Sequence, residues 1–241
     1  MEKFPLGLPK GVAKFALNAS LNTLPSGDNL RRWGKRTSDS CRICRDGKQT
    51  LHHILSSCAS SLEQGRYTFR HDSCLRSIVD FLAGKLKDGV QLFSDLPGRS
   101  SGTYGTIPVD LFVTSQRPDL VLVNRQAKSI VLFELTVPWD RNVQNAHEYK
   151  MGKYASLALD LERAGFTVDV FCFEVSVRGQ ISKGNRARLK SLVHKYTDAG
   201  RSGLKSLIIS TSKASLLGSF AIFCARNEAH WSHNGDLSVQ L

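Results

Sequence analysis

Residues 117–136 read RPDLVLVNRQAKSIVLFELT. Two apolar runs, 120–123 and 130–137, flank a polar turn at 125–129, the pattern of a β-hairpin with a buried face. A turn centred on Gln126 and Ala127 sets Asp119 directly opposite Glu134. Cross-strand neighbours lie about 5 Å apart, and like charges there repel. A shared cation removes that penalty, and a hard divalent ion, Mg²⁺ first, suits two carboxylates. Glu134 is also the one charge in its run of otherwise apolar residues and a Thr. A buried carboxylate without a partner is costly. A slipped register gives the other outcome, in which Asp119 caps a turn and Glu134 pairs with an arginine.

With 241 residues the chain can hold one full domain and a small appendage. A hydrophobic content of 41% argues for a packed core. The net charge of +12 and a pI near 9.6 point to a polyanionic partner. Nucleic acid is the commonest such partner and an anionic membrane surface the weaker one. The sequence reads as having no apolar segment close to the roughly 20 residues that span a bilayer. It also shows no secretory leader and no Gly-rich phosphate loop. Six cysteines, three of them clustered, suit metal binding in a reducing compartment better than a disulfide scaffold.

Taken in order, residues 1–36 form a helical and basic lead-in. Pro9 starts a helix through Val12, Phe15, Ala16 and Leu21, and Pro25-Ser26-Gly27 is a turn. Arg31, Arg32, Lys35 and Arg36 then surround Trp33, a mixture that suits a phosphate backbone and a stacking base or a solvated linker. Residues 37–62 carry Cys41-x2-Cys44-x8-His53-x4-Cys58. A Cys-x2-Cys bend brings two thiolates onto one ion, and a helix or turn supplying His and Cys closes a zinc tetrahedron. His52 competes for the third position. With His53 as ligand, Leu51, Ile54 and Leu55 form the packing side. A closed four-ligand site is structural or grips nucleic acid rather than catalysing.

A third region, residues 63–226, reads as an α/β layer followed by a frayed tail at 227–241. The spacing predicts a helix over 62–86, with Arg66 and Arg70 on one face and Arg70-His71-Asp72 in its middle, placed to reach a phosphate or a metal-site neighbour. Arg66, Arg70, His71 and Arg117 are candidate nucleic-acid contacts, a solvated polar face being the other reading. Glu63 is a further possible acid for a metal site. Residues 84–105 read as a loop and 107–113 as a strand. After the hairpin, Pro138 ends the strand and a helix follows over 143–164. Its inward stripe is Val143, Ala146, Tyr154, Leu157 and Leu161, and projection at 100° per residue puts Lys150 in that stripe with Lys153 at its edge. A lysine there either snorkels or reaches the carboxylates. Residues 167–177 form a further strand. Residues 183–196 form a basic helix bearing Lys183, Arg186 and Arg188, either a phosphate-contacting surface or a solvated face. Residues 203–226 form an apolar core helix.

Asp119, Glu134 and a nearby lysine suffice to hydrolyse a phosphodiester. Carboxylates hold one or two Mg²⁺ ions, and a lysine orients or deprotonates water and offsets developing charge.

The segment Leu24-Pro25, Asn29-Leu30, Arg32-Trp33-Gly34-Lys35, followed by Cys41, Cys44, His53 and Cys58, resembles the region downstream of the reverse transcriptase in non-LTR (LINE-like) retrotransposons. The motifs Arg70-His71-Asp72, Arg117-Pro118-Asp119, Glu134-Leu135-Thr136 and Lys150-x2-Lys153-Tyr154 are similar to those of their restriction-like endonuclease. The resemblance covers about residues 20–225. It implies an α/β PD-(D/E)xK restriction-endonuclease-like core, a central mixed sheet flanked by helices, with a small N-terminal zinc knuckle. It also implies Asp119 and Glu134 as ligands of a catalytic Mg²⁺ or Mn²⁺. Thr136 stands where the usual lysine would be, and the resemblance moves that lysine to the next helix, at Lys150 or Lys153. The implied activity is nicking of target DNA to prime reverse transcription, in the nucleus after transit through the cytoplasm. The implied partners are DNA, with RNA as a second candidate, and the element's reverse transcriptase in cis or in trans. No reverse transcriptase lies within these residues, which reads as a fragment of an element or an endonuclease-derived protein. A catalytically inactive nucleic-acid-binding remnant is the alternative.

Overall fold

Four strands form one mixed sheet in the order β1-β2-β3-β4, and the computed structural model describes residues 7–96 and 107–232. β1 (Val90–Ser94), β2 (Leu120–Asn124) and β3 (Ser129–Thr136) are antiparallel neighbours, and β4 (Thr167–Glu174) runs parallel to β3. The hairpin pairs Leu120 with Phe133 and Asn124 with Ser129, so the next pair outward is Asp119 with Glu134. This is the register of a turn at Gln126 and Ala127. Asn124 Oδ1 accepts the Ala127 amide at 2.9 Å, and Lys128 takes a left-handed φ of 45° to close the turn.

Both faces of the sheet are covered, which is why β2 and β3 read as apolar runs rather than alternating ones. On one face, Val121, Val123, Ile130 and Leu132 meet Tyr154, Leu157 and Leu161 of α5 (Val143–Arg163), the crossover helix between the parallel strands. On the other, Leu120, Leu122, Phe133, Phe171 and Phe173 meet α4 (Arg66–Ala83), α6 (Lys183–Tyr196) and α7 (Arg201–Cys224).

The N-terminal residues join this body through a second apolar cluster. Phe15 of α1 (Lys10–Ser20) lies 5.6 Å from the rings of both Phe220 and Phe223 of α7. Leu51, Ile54 and Leu55 pack into the same cluster, as expected with His53 turned away. Ser26 caps the short α2 (Gly27–Arg32), accepting the Asn29 amide at 3.3 Å.

Several expectations need correction. The helix expected over 62–86 is broken: α3 (Ala59–Glu63) and α4 are separated by Gly65, whose φ of 71° interrupts the helical backbone. The loop expected over 84–105 contains β1, an edge strand that follows Gly89 at φ 77°. Residues 107–113 are not a strand, because Pro108 starts a turn whose carbonyl accepts from Leu111 at 2.9 Å and Phe112 at 3.1 Å. One helix, α7, does reach the length and mean hydropathy (1.6) of a membrane span. In this fold 56% of that window is buried, and its buried side includes Thr211, Ser212, Ser215 and Ser219. The tail is docked at least as far as Trp231, over which the Arg66 guanidinium lies at 5.1 Å. Residues 1–6 of the lead-in, 97–106 of the loop and 233–241 of the tail lie outside the described residues.

α4 and α7 cross so closely that a Cβ on Gly218 would sit 2.8 Å from Arg70 Cγ and 3.1 Å from its Cα. Gly218→Ala should therefore cost about 1–3 kcal/mol in urea unfolding, the usual range for overpacking. Gly152 lies on the exposed side of α5, and an added methyl there meets nothing within 4 Å. Gly152→Ala should be neutral or stabilise by up to about 1 kcal/mol.

Candidate functional site

Two groups of side chains carry chemistry. The first is the Cys-x2-Cys bend, built on Arg45 and Gly47 with φ of 60° and 68° and closed by the Cys41 amide donating to the Gly47 carbonyl at 3.1 Å. Thr50 Oγ1 accepts the His53 amide at 3.0 Å and starts the helical turn that delivers His53. Cys58 follows that turn, its amide donating to the Tyr67 hydroxyl at 3.0 Å. The ligand atoms of Cys41, Cys44, His53 and Cys58 all lie within 4.8 Å of one another. Cys41 Sγ is 4.0 Å from Cys58 Sγ, and Cys44 Sγ is 3.4 Å from His53 Nε2. Sulfurs of a tetrahedral zinc site, with bonds of about 2.3 Å, stand about 3.8 Å apart, so the donor set and its spacing fit a structural metal such as zinc. Among the described residues this is the one such group of three or more His, Cys, Asp or Glu. His52 is outside it: its ring is exposed and meets Trp139 edge-on at 5.1 Å. Glu63, exposed at the end of α3, is outside it as well.

The second group lies under the N-terminal half of α5. Strand alternation puts Asp119, Glu134, Thr136, Cys172 and Glu174 on the face that α5 covers. Glu134 is 2% exposed. Its Oε1 is hydrogen-bonded by Lys150 Nζ, with Lys153 Nζ at 3.8 Å. Its Oε2 lies 2.7 Å from the Tyr154 hydroxyl and 3.4 Å from the Asp119 amide. Burial, then the neighbouring Glu134, raises the Tyr154 pKa and keeps the phenol a donor. Lys150 is thus where the helical projection put it, one turn before Tyr154 and over the acid.

Asp119 is held from the other side. Its Oδ2 accepts the Leu135 amide at 2.7 Å and faces His71 Nε2 at 3.2 Å. His71 Nδ1 faces Asp72 Oδ1 at 3.0 Å. Burial opposes a charged imidazole here, but the hydrogen bonds and charges of Asp119 and Asp72 outweigh it and push His71 up to about 10. The ring therefore carries both protons and fixes the Asp119 carboxylate. Among the described residues no hydrogen bond reaches Asp119 Oδ1, which leaves that oxygen for a cation. A pocket of about 280 Å³ is lined by Tyr67, Arg70, His71, Thr136 and Lys150; Asp119 and Glu134 do not line it, but their partners His71 and Lys150 do. Thr136 Oγ1 is buried there without a hydrogen-bond partner in the protein. Hard oxygen donors, an orphaned hydroxyl and paired lysines suit a small divalent ion and a phosphate.

The remaining sequence candidates divide in two. Arg66 and Arg70, expected to reach nucleic acid, are buried, so those assignments are corrected. Arg66 donates to Gln64 Oε1 and to the Ala225 and Glu228 carbonyls at 2.7–2.8 Å, satisfying the C-terminal end of α7. Arg70 donates to the Leu55 carbonyl at 2.9 Å and to Ser219 Oγ at 3.2 Å, and burial pulls its pKa down to about 10. His71, expected at the same surface, is spent on Asp119. Arg188 packs its guanidinium 5.1 Å over the Phe171 ring. Arg31 pairs with Asp39 at 2.9 Å, Arg32 donates to Asn29, Arg36 donates to Gln49 and to the Ser40 carbonyl, and Arg117 pairs with Asp95. Trp33, Lys35, Lys183 and Arg186 stay exposed.

Sequence reasoning missed His147, Glu174 and Asn185. Glu174, 3% exposed, holds His147 Nδ1 at 2.9 Å and accepts from Asn185 Nδ2 at 2.7 Å. The available signal was His147 lying one helical turn before Lys150, above an acid ending a core strand.

Purified protein should contain one zinc per chain by atomic absorption. Cys41→Ser and His53→Ala should lose it and lower the unfolding temperature by about 5 °C or more, while His52→Ala should keep it. Comparison of the chain with protein-family models finds no match, and comparison with curated proteins finds none either.

Proposed function

We propose that the chain is a divalent-metal-dependent DNA endonuclease of the PD-(D/E)xK kind found in non-LTR retrotransposons. It nicks one target strand so that the freed 3′ end primes reverse transcription. The observation that carries this reading is Asp119 and Glu134 as a cross-strand pair under α5, with Lys150 Nζ on Glu134 Oε1. Thr136 at the usual lysine position fits a chain whose lysine comes from the next helix instead. The net charge of +12 supports a polyanionic substrate.

In this mechanism the carboxylates of Asp119 and Glu134 would hold Mg²⁺ or Mn²⁺. A bound ion of this kind stabilises charge on the scissile phosphate and lowers the pKa of bound water. His71 and the Leu135 amide keep the Asp119 carboxylate turned so that Oδ1 faces the site. Tyr154 does the same for Glu134 through Oε2. Lys150, an ammonium paired with Glu134, orients the attacking water and offsets developing negative charge. Lys153, 3.8 Å from the same carboxylate, adds positive charge at the entrance. DNA arrives in the nucleus, and the element's reverse transcriptase, in cis or in trans, uses the exposed 3′ end.

A specific feature favours the second reading, a non-catalytic nucleic-acid-binding remnant. Asp119 and Glu134 are already paired within the protein, by His71 and Lys150, as in a structural ion network. Nicking of supercoiled plasmid in Mg²⁺ or Mn²⁺ separates the two. The endonuclease reading expects nicking by the wild type. It expects Asp119→Ala to slow it by at least about 100-fold, since two carboxylates share the ion, with DNA affinity changed less than about twofold. Lys150→Ala should lose more activity than Lys153→Ala. A wild type that binds DNA in a salt-dependent way but never nicks supports the remnant.

A further inference from the structure

A cleft of about 680 Å³ separates the metal-binding knuckle from the start of α5. Its walls include His52 on the knuckle side and Trp139, Arg141 and Asn142 on the sheet side, and Arg178 and Asp28 also line it. We infer that this cleft seats one unpaired nucleotide of the DNA strand that passes the candidate cleavage site. The inference rests on the reading of the chain as a DNA-binding nuclease, yet it depends on no catalytic step.

His53 points into the Cys3His group, so the adjacent His52 is held on the outside of the same turn, exposed, with its ring in a T-shaped contact 5.1 Å from that of Trp139. A ring fixed at one side and open at the other is a platform for a base, whose π-face every nucleotide shares. The opposite wall supplies charge. The Arg178 guanidinium is spent: Nε donates to Asp140 Oδ2 at 2.6 Å, Nη1 to the Ala19 carbonyl at 3.3 Å, and its plane lies 5.3 Å over Trp139. Arg141 is exposed and makes no hydrogen bond or ion pair among the described residues, so it is available to a phosphate. Asn142, exposed beside it, offers an amide. Asp28, also in the lining, repels an anion and can accept from a base edge, so the phosphate falls to Arg141.

Size and position agree. The volume falls within the roughly 300–1,000 Å³ of small-ligand sites, enough for one nucleotide and not for a paired duplex. Only Val137 and Pro138 separate Trp139 from Thr136 of the pocket lined by His71 and Lys150, a span of at most about 11 Å, a nucleotide or two along a strand.

The test is fluorescence anisotropy in EDTA, where no strand is cut, comparing a labelled DNA duplex with the same duplex bearing a short single-stranded tail. Wild type should bind the tailed DNA at least about fivefold more tightly, the lower range for one stacked base. A tail of abasic sites should lose that preference. His52→Ala and Arg141→Ala should each remove it while leaving the affinity for plain duplex and the zinc content unchanged. The Arg141 variant sits outside the knuckle and guards against a folding artefact in the other. Asp119→Asn should keep the preference whether or not the chain nicks DNA, which separates failure of this inference from failure of the nuclease reading. Equal binding of tailed and plain duplex by wild type overturns the inference. So does a preference that survives abasic substitution or both cleft variants. Tighter binding of an RNA tail, or displacement of the tail by micromolar mononucleotide, assigns the cleft to another ligand and also overturns it.

Discussion

A carboxylate sits on the buried α5-facing side of the interior strand β3, and every oxygen of Glu134 meets a donor there. At 2% exposure it has lost nearly all hydration, and removing one member of a buried ion pair typically costs about 3–5 kcal/mol. Four groups from two parts of the chain meet its two oxygens: Lys150, Lys153 and Tyr154 from α5 and the amide of Asp119, just before β2. That convergence fixes the rotation of α5 over the sheet. An α5 turned by one residue would leave the acid facing the apolar stripe. The polar site and the apolar packing of Tyr154, Leu157 and Leu161 are therefore two halves of one helix face.

The other side of the sheet shows how the chain deals with charge that has no function to serve there. Arg66 and Arg70 enter the α4–α7 interface and spend their donors on carbonyls that a helix end and a loop leave unsatisfied. Gly218 and the buried serines of α7 make room for them. This is why a helix apolar enough to span a membrane also carries hydroxyls on its inner side. Arg70 reaches the Leu55 carbonyl and, at 3.4 Å, that of Val137, so the same guanidinium ties the knuckle to the end of β3. Position and orientation of the metal group are thus coupled to the sheet that bears the acids.

Much of the site was legible because it depends on local periods. Period two in a hairpin put Asp119 opposite Glu134, and 3.6-residue projection put Lys150 above them. The packing side Leu51, Ile54 and Leu55 separated His53 from His52. What could not be read was which element covers a face. Arg66 and Arg70 share a face by spacing alone, but only the return of α7 makes that face interior. His71 looked like a surface group beside them, and its partner Asp119 lies far along the sequence. The strand expected at 107–113 failed because Pro108 starts a turn, while β1 was hidden by its brevity in a Gly- and Ser-rich stretch.

The central claim, that Asp119 and Glu134 share a divalent cation, is tested most directly by Mn²⁺ binding to the zinc-loaded protein, followed by electron paramagnetic resonance. The account predicts at least one bound Mn²⁺ per chain in the wild type, lost in Glu134→Gln and in Asp119→Asn, with the zinc retained in all three. No bound Mn²⁺ in the wild type, or the same Mn²⁺ in both variants, would contradict it and leave the carboxylates as a structural ion network.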